Sequence, residues 1–280
     1  MKNRKLQKII ALSFVFAVLA LIYVPILLLI IYSFTYTKSG MIGDWGGFSL
    51  KAFEDIVKDA DLMRALGNTL LIAVTSGVLA VLIGTISSVG IFYLKRKAKA
   101  AANTLNQIIV VNADIVTAVA FMMFFGLIGL GSFGYATLII AHTMITVPFV
   151  ILTISPRLGQ LNKNLYDAGL DLGAGPMRTL FTVVVPQLIP AMIAAFAIAF
   201  TLSVDDFVVT WFNKGGAADI VNVDTLSTYL YIKLAKKADG IQKFRALSSV
   251  IFILSFAILL FINFRAKRKA KKEKRTAIAG

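Results

Sequence analysis

The sequence of 280 residues contains no cysteine, so disulfides, thiolate metal sites and a cysteine nucleophile are excluded. Its one histidine, His142, has no acidic residue or second histidine beside it in its apolar segment, and a lone imidazole does not make a metal site. We interpret it as a packed, neutral core residue, with a proton relay as the alternative. The nucleotide-binding pattern G-x-x-x-x-G-K-[ST] is also absent. We therefore expect no ATPase site, metal or cofactor in this chain.

Charged residues are scarce, at 15% against roughly 25% in an average soluble domain. Hydrophobic residues make up 58%, and the mean hydropathy is +0.83. Such an apolar surplus needs lipid around it, and one membrane crossing takes about 20 apolar residues. The sequence predicts an all-α membrane protein, a single domain over residues 1–280. Its six transmembrane helices fall at about 9–33, 68–94, 105–130, 134–153, 184–206 and 246–264.

The first apolar run is far longer than a signal-peptide core, and no small-residue cleavage site follows Tyr32. We expect it to stay in the protein as an anchor. The segments after the first and fifth spans contain two further predicted helices. One is amphipathic, begins after Ser49 and has apolar residues at helical spacing from Phe53 to Leu66; the other is capped near Asp224.

The net charge of +15 is unevenly distributed along the chain. Nineteen of the 29 Lys and Arg residues lie at the N-terminus, in the turn 95–99, in the loop 154–180 and in the tail 265–275. Six crossings place these nineteen on one side, and the positive-inside rule makes that side, with both termini, cytoplasmic. We expect the basic tail to fix this topology and to attract anionic membrane lipid, rather than to bind nucleic acid.

A polar segment at about 155–182 separates the fourth and fifth apolar runs. Within it, NLYDAGLDLG predicts a short helix with Asp167 and Asp171 on one face. Gly173 stands where a left-handed residue closes a helix with little strain. Pro176 suits the first position of a second helix, where its missing N–H is harmless. We predict two short helices joined by a glycine turn, a rigid surface for a soluble partner; the alternative is an ordinary polar loop.

The spacing of this segment resembles the EAA cytoplasmic loop of ABC-importer permeases. The pattern falls on Asp167, Ala168, Gly169 and Gly173, followed by Val183, Val185 and Pro186. Asp167 replaces the usual Glu, and Gly169 replaces the second Ala. The resemblance implies the type I ABC-importer permease fold. It also implies which residues couple the permease to an ATPase: Asp167, Ala168, Gly169, Asp171, Gly173 and Pro186.

Three acidic residues, Asp114, Asp205 and Asp206, fall within the predicted spans, and no Lys or Arg does. Intramembrane carboxylates normally face the bundle interior and have a partner, so the balancing charge would come from another subunit or from a cationic substrate. Nearby aromatic rings suit an organic ammonium. The candidate pathway residues are Asp114, Asp205, Asp206, Phe200, Phe207 and Trp211. The alternatives are that the pair ends the fifth span facing water and that Asp114 bonds locally to Asn112 or Thr117.

Further segments resemble the second permease subunit of spermidine/putrescine importers: YVPILLLIIYSF, NADIVTAVAFMMFF, VPFVILTISPRL and FTLSVDDFVVTWF. Ala113 departs from this pattern, because a proline is expected before Asp114. The resemblance implies a polyamine importer in the bacterial cell membrane. Its other parts are a second permease subunit, a dimer of ATP-binding cassette ATPases that binds the ATP, and an extracytoplasmic substrate-binding protein.

Two alternatives remain from the sequence. One is a permease of the same architecture for ferric iron, thiamine or an organophosphonate. The other is a secondary transporter or a membrane assembly protein that needs no ATPase. The coupling loop and the lack of a convincing internal repeat disfavour the secondary transporter, and the acid-only spans disfavour an anionic organophosphonate.

Overall fold

The computed structural model describes residues 2–35, 46–129, 134–215, 223–234, 240–253 and 256–257. Within these ranges the secondary structure is helical, apart from an isolated bridge between Thr35 and Phe48. The chain forms two compact units: Asp61–Tyr229, and Met1–Ala60 together with Leu230–Gly280.

The helices have the following bounds. They are α1 (Lys2–Ser33), α2 (Lys51–Lys58), α3 (Ala60–Tyr93), α4 (Arg96–Val111), α5 (Asp114–Leu127), α6 (Tyr135–Gln160), α7 (Lys163–Asp171), α8 (Pro176–Thr179), α9 (Val185–Asp205), α10 (Val208–Asn213), α11 (Leu226–Tyr229) and α12 (240–253). Two π-helical turns, Leu180–Val184 and Leu230–Leu234, follow α8 and α11.

Four helices in the described ranges are long and apolar enough to cross a membrane: Ile10–Ser33, Ala60–Tyr93, Tyr135–Gln160 and Pro176–Asp205. The bent pair α4–α5 raises the number to five if it counts as one span. Of the sixth predicted span, 246–264, only residues 246–253 and 256–257 are described. The six-span arrangement therefore stays a prediction.

The predicted span 105–130 is divided between α4 and α5, which meet at an angle of 102°. Asn112 and Ala113 both have extended backbone, with ψ of 146° and 132°, so the helix stops and restarts although the expected proline is absent. The side-chain amide of Asn112 donates to the hydroxyl of Thr117 at 2.9 Å. The break places Asp114 in the first turn of α5.

Helices α3, α6 and α9 form the main core of the unit Asp61–Tyr229. Its buried side chains are Ala80, Val81, Val150, Ile154, Leu158, Val184, Leu188, Ala195 and Ala199. Gly84 allows α3 and α6 to approach closely, because a Cβ there would lie 2.5 Å from Val150 Cγ1. Small residues at such crossings are how apolar helices pack in lipid.

Several predicted boundaries differ from the structure. Helix α3 begins at Ala60 rather than near residue 68, and α6 continues to Gln160 instead of ending near 153. The amphipathic helix predicted after Ser49 is divided at Asp59, whose extended ψ of 96° ends α2.

At α11 the cap is formed by threonines: the Thr225 N–H donates to the Thr228 hydroxyl at 3.0 Å. This cap lies one residue from Asp224, near which the sequence predicts it, and the Asp224 carboxylate pairs with Lys214.

In the other unit, α2 and α12 are joined by an ion pair. Lys243 Nζ lies 2.8 Å from Asp59 Oδ2. The guanidinium of Arg245 lies over the ring of Tyr32 in α1, 5.7 Å from its centroid. Both basic residues precede the apolar part of α12.

Candidate coupling loop and substrate pathway

Helix α7 has a defined cap at each end. At its N-terminus, the side chain of Asn162 accepts the N–H of Asn164 at 3.0 Å, as an N-cap residue does. At its C-terminus, the Gly173 N–H donates to the Leu170 carbonyl (2.9 Å) and the Ala174 N–H to the Gly169 carbonyl (3.2 Å). This pair of bonds is the Schellman motif, which needs a left-handed residue. Gly173 supplies it with a φ of +80°.

Helix α8 begins with Pro176 at its first position, as predicted, and runs through the π-helical turn into α9. The Val185 N–H donates to the carbonyl of Leu180, five residues earlier. Pro186 gives a physical reason for the wider turn: it has no N–H for the Thr182 carbonyl, so the α-helical ladder is interrupted there. The Gln187 side-chain amide donates to the Val183 carbonyl at 2.8 Å.

Gly169 is where α7 touches α8. A Cβ at Gly169 would lie 2.5 Å from Cγ2 of Thr179, whose side chain is buried. The glycine therefore lets the two short helices pack closely, a requirement that the spacing of the motif does not reveal. We call residues 163–179 the coupling hairpin.

The coupling hairpin presents an exposed surface within the described residues. Asp167, Ala168, Asp171 and Gly173 are exposed. Leu172 and Met177 are also exposed, at 89% and 65%. These two apolar residues were not predicted from the sequence, although large apolar side chains at the tip of a polar hairpin are a signal for a partner surface.

The three predicted intramembrane acids come together around one cavity of about 330 Å³. Asp114 of α5, Asp205 of α9 and Asp206 line it with Phe207, Thr117 and Thr146. Of the described residues that line it, none is basic. Carboxylates separated in sequence by more than 90 residues thus face the same space, which the sequence alone does not show.

The two adjacent aspartates have different surroundings. Asp206 caps α10: its Oδ1 accepts the Val209 N–H (3.2 Å), and its Oδ2 accepts the N–H and hydroxyl of Thr210 (2.8 and 2.9 Å). Its side chain is 13% exposed. Asp205 is exposed and lines the cavity at the last position of α9.

His142 is fully buried and hydrogen-bonded on both sides, in agreement with the predicted packed core residue. Its Nε2 lies 3.1 Å from Thr210 Oγ1, and its Nδ1 lies 2.7 Å from Ser203 Oγ. The Thr210 hydroxyl donates to Asp206, so Nε2 donates to Thr210, and in a neutral imidazole Nδ1 then accepts from Ser203. The arrangement fits a neutral imidazole that joins α6, α9 and α10.

The predicted aromatic residues separate into two groups. Phe207 lines the cavity, and Trp211 stacks on it with ring centroids 5.5 Å apart. Phe200 packs instead against Phe196, at 6.0 Å, and it is not among the described residues that line the cavity. Lys214 was not predicted from the sequence, and its ammonium lies 5.2 Å from the Trp211 ring centroid.

The fold of this chain is shared with chains of transporters of known structure. It is similar to a chain in the crystal structure of a bacterial ABC transporter involved in the import of the acidic polysaccharide alginate, with a TM-score of 0.70 and 12% identity over 93% of this chain and 97% of that chain. It is also similar to a chain of an amino acid ABC transporter with histidines, with a TM-score of 0.53 and 17% identity over 76% of this chain and 97% of that chain.

Residues 80–269 match the family described as the binding-protein-dependent transport system inner membrane component, and the chain belongs to this family. It is therefore a transport subunit of the inner membrane.

Characterised relatives match most of the chain. It is 29% identical over 259 residues to the spermidine/putrescine transport system permease protein PotC of Escherichia coli (strain K12), covering 92% of this chain and 94% of the relative. It is 31% identical over 204 residues to the putrescine transport system permease protein PotI of the same strain, covering 70% and 72%. The PotC homolog of Mycoplasma genitalium is 27% identical over 282 residues, covering 97% and 96%.

Proposed function

We propose that this chain is the permease subunit of an ATP-driven spermidine/putrescine importer and forms half of its translocation pathway. The observation that carries this proposal is the cavity shared by Asp114, Asp205 and Asp206. Linear polyamines carry several ammonium groups, and carboxylates beside an aromatic face attract such groups. The relatives named as polyamine permeases support the same substrate.

Within this cavity, Asp205 and Asp114 are the carboxylates that a passing cation would contact. Asp206 contributes negative charge, but its oxygens already accept three hydrogen bonds from α10. Phe207 supplies an aromatic wall. The second permease subunit would provide the facing half.

The coupling hairpin would dock on the ATPase dimer through Asp167, Ala168, Gly169, Asp171 and Gly173. Helix α8, the π-helical turn and α9 form one continuous helical run from Pro176 to Asp205. Thirty residues at 1.5 Å each make a run of about 45 Å. The hairpin and the cavity thus lie at opposite ends of one helical run, and movement of the hairpin would change the surroundings of Asp205. Pro186 lies within this run.

The proposed topology places the coupling hairpin and both termini in the cytoplasm, with six spans in a single transmembrane domain. The mouth near Asp205 then faces the extracytoplasmic substrate-binding protein. ATP would be bound by the partner ATPases and not by this chain. The basic tail would contact anionic lipid; it lies outside the described residues.

Uptake by the reconstituted four-part complex tests the proposal. Proteoliposomes that contain ATP should accumulate radiolabelled putrescine or spermidine, and unlabelled polyamine should compete. Thiamine, ferric iron and an organophosphonate should not compete. A complex that hydrolyses ATP in response to its binding protein but accumulates no polyamine would refute the proposed substrate.

A further inference from the structure

Lys214 and Asp224 lie at the two ends of the segment that connects α10 to α11. The ammonium of Lys214 donates to Oδ1 of Asp224. The backbone N–H of Val223 also donates to the Lys214 carbonyl at 3.1 Å. The Lys214 side chain is only 8% exposed and that of Asp224 28%, so this ion pair is largely removed from water.

The same ammonium lies over the indole of Trp211, 5.2 Å from the ring centroid. A carboxylate combined with an aromatic face is a chemical arrangement that binds alkylammonium groups. The lysine side chain is itself a four-carbon primary alkylammonium. It therefore has the same chemistry as one end of a linear polyamine.

Asp224 is held in position by groups other than Lys214. Its backbone carbonyl oxygen accepts a hydrogen bond from the side-chain amide of Asn68 at 2.9 Å. The side-chain oxygen of Asn68 in turn accepts a hydrogen bond from the hydroxyl of Tyr135 at 2.6 Å. The hydroxyl of Thr228 lies 3.5 Å from its Oδ1. These contacts would hold the backbone of Asp224, and with it the position of its carboxylate, when the lysine ammonium moves away.

The site adjoins the pathway cavity through aromatic rings. Trp211 stacks on Phe207, and Phe207 lines the cavity with Asp205. We propose that Asp224 and the face of Trp211 form an ammonium-binding site beside the pathway, that Lys214 occupies it as a built-in ligand, and that one ammonium group of the transported cation exchanges with Lys214. The exchange step rests on the proposed polyamine function; the binding site does not.

Rescue by a small amine tests the site directly. Lys214→Ala removes the built-in ammonium and should lower the melting temperature of the purified full-length chain. n-Butylammonium should restore that melting temperature saturably, whereas n-butanol should not. Asp224→Asn combined with Lys214→Ala should abolish the response. Lys243→Ala is the matched control, because it breaks the Lys243–Asp59 pair (2.8 Å). No rescue, or an equal rescue of Lys243→Ala, would overturn the site.

Uptake kinetics of the complete complex test the exchange. Lys214→Met keeps the apolar stem and removes the competing charge, so the KM for putrescine should fall by up to about tenfold, equivalent to roughly 1.4 kcal/mol. Lys214→Arg should raise the KM, because arginine binds a carboxylate more strongly. A purely structural ion pair predicts the opposite order, with Arg near wild type and Met impaired, and that result would reject the exchange.

The two proposals fail in different ways. If wild-type complexes take up polyamine but n-butylammonium does not rescue Lys214→Ala, the ammonium site is wrong and the transport function stands. If the rescue is observed but no polyamine is taken up, the site stands and the assigned substrate is wrong.

Discussion

Asp205 and Asp206 are neighbours in the chain, yet their carboxylates make different contacts. Asp206 accepts two backbone N–H groups and one hydroxyl at the start of α10 and lies 3.6 Å from His142 Nε2. Asp205 is exposed and faces the cavity. The two acidic residues therefore differ in role: Asp206 caps a helix, and Asp205 is the candidate ligand for a cation.

Asp205→Asn keeps the shape of the side chain and removes its charge. Two unit charges about 4 Å apart near a protein surface interact by roughly 4 kcal/mol before desolvation is subtracted. Losing a third of that should raise the KM for polyamine by about tenfold, and more for spermidine than for putrescine. Initial uptake rates over a range of concentrations measure the change. Glu54→Gln, at an exposed site in α2, is the control; equal KM values for both variants would remove Asp205 from the pathway.

Asp206→Ala should act on stability first. It deletes the oxygens that cap α10 and leaves the Thr210 hydroxyl, which lies 3.1 Å from His142 Nε2, without its acceptor. Loss of a helix cap costs about 1 kcal/mol, so the melting temperature of the purified permease should fall. Asp205→Ala, one residue away, should melt close to wild type. If the two variants reverse this order, the assigned roles of the two carboxylates are wrong.

At the scale of elements, the coupling hairpin was predictable because its signals are local. Gly173 and Pro176 each fix a backbone conformation that the structure confirms, with φ of +80° and the first helical position. The break before Asp114 was not predictable from Ala113, which has no strong preference against a helix. The convergence of Asp114 with Asp205 depends on how α5 packs against α6 and α10, and the spacing of residues along the sequence does not reveal that packing.

Gly173→Val should abolish transport while the permease still inserts in the membrane. A β-branched residue at φ of +80° is strained, so the Schellman turn would open and the hairpin would lose its shape. The measurements are the uptake of polyamine and the co-purification of the ATPase with the permease. Gly175→Val is the matched control, because Gly175 has an ordinary φ of −65° and open space around it. Similar defects in both variants would mean that bulk alone, and not the left-handed turn, matters.

At the scale of the whole molecule, composition was sufficient for the class of protein and insufficient for the bounds of its spans. The apolar runs in the sequence correctly predict four long helices. The ends of these helices differ from prediction where more polar segments continue the helix, as at Ala60 and Gln160. Hydropathy locates the apolar stretch, but it does not locate the more polar turns that continue the helix beyond it. The ion pair of Lys214 with Asp224 joins the ends of a connecting segment, which hydropathy does not predict.

The orientation of the whole chain can be tested because it contains no cysteine. The proposed topology places Lys51 outside and Ala98 in the cytoplasm, since nineteen of 29 basic residues then lie inside. Both positions are exposed and described. Lys51→Cys should react with an impermeant maleimide in intact cells, and Ala98→Cys only after the cells are permeabilised. The reverse pattern would place the coupling hairpin outside, where no ATPase could reach it, and would refute the importer assignment together with the topology.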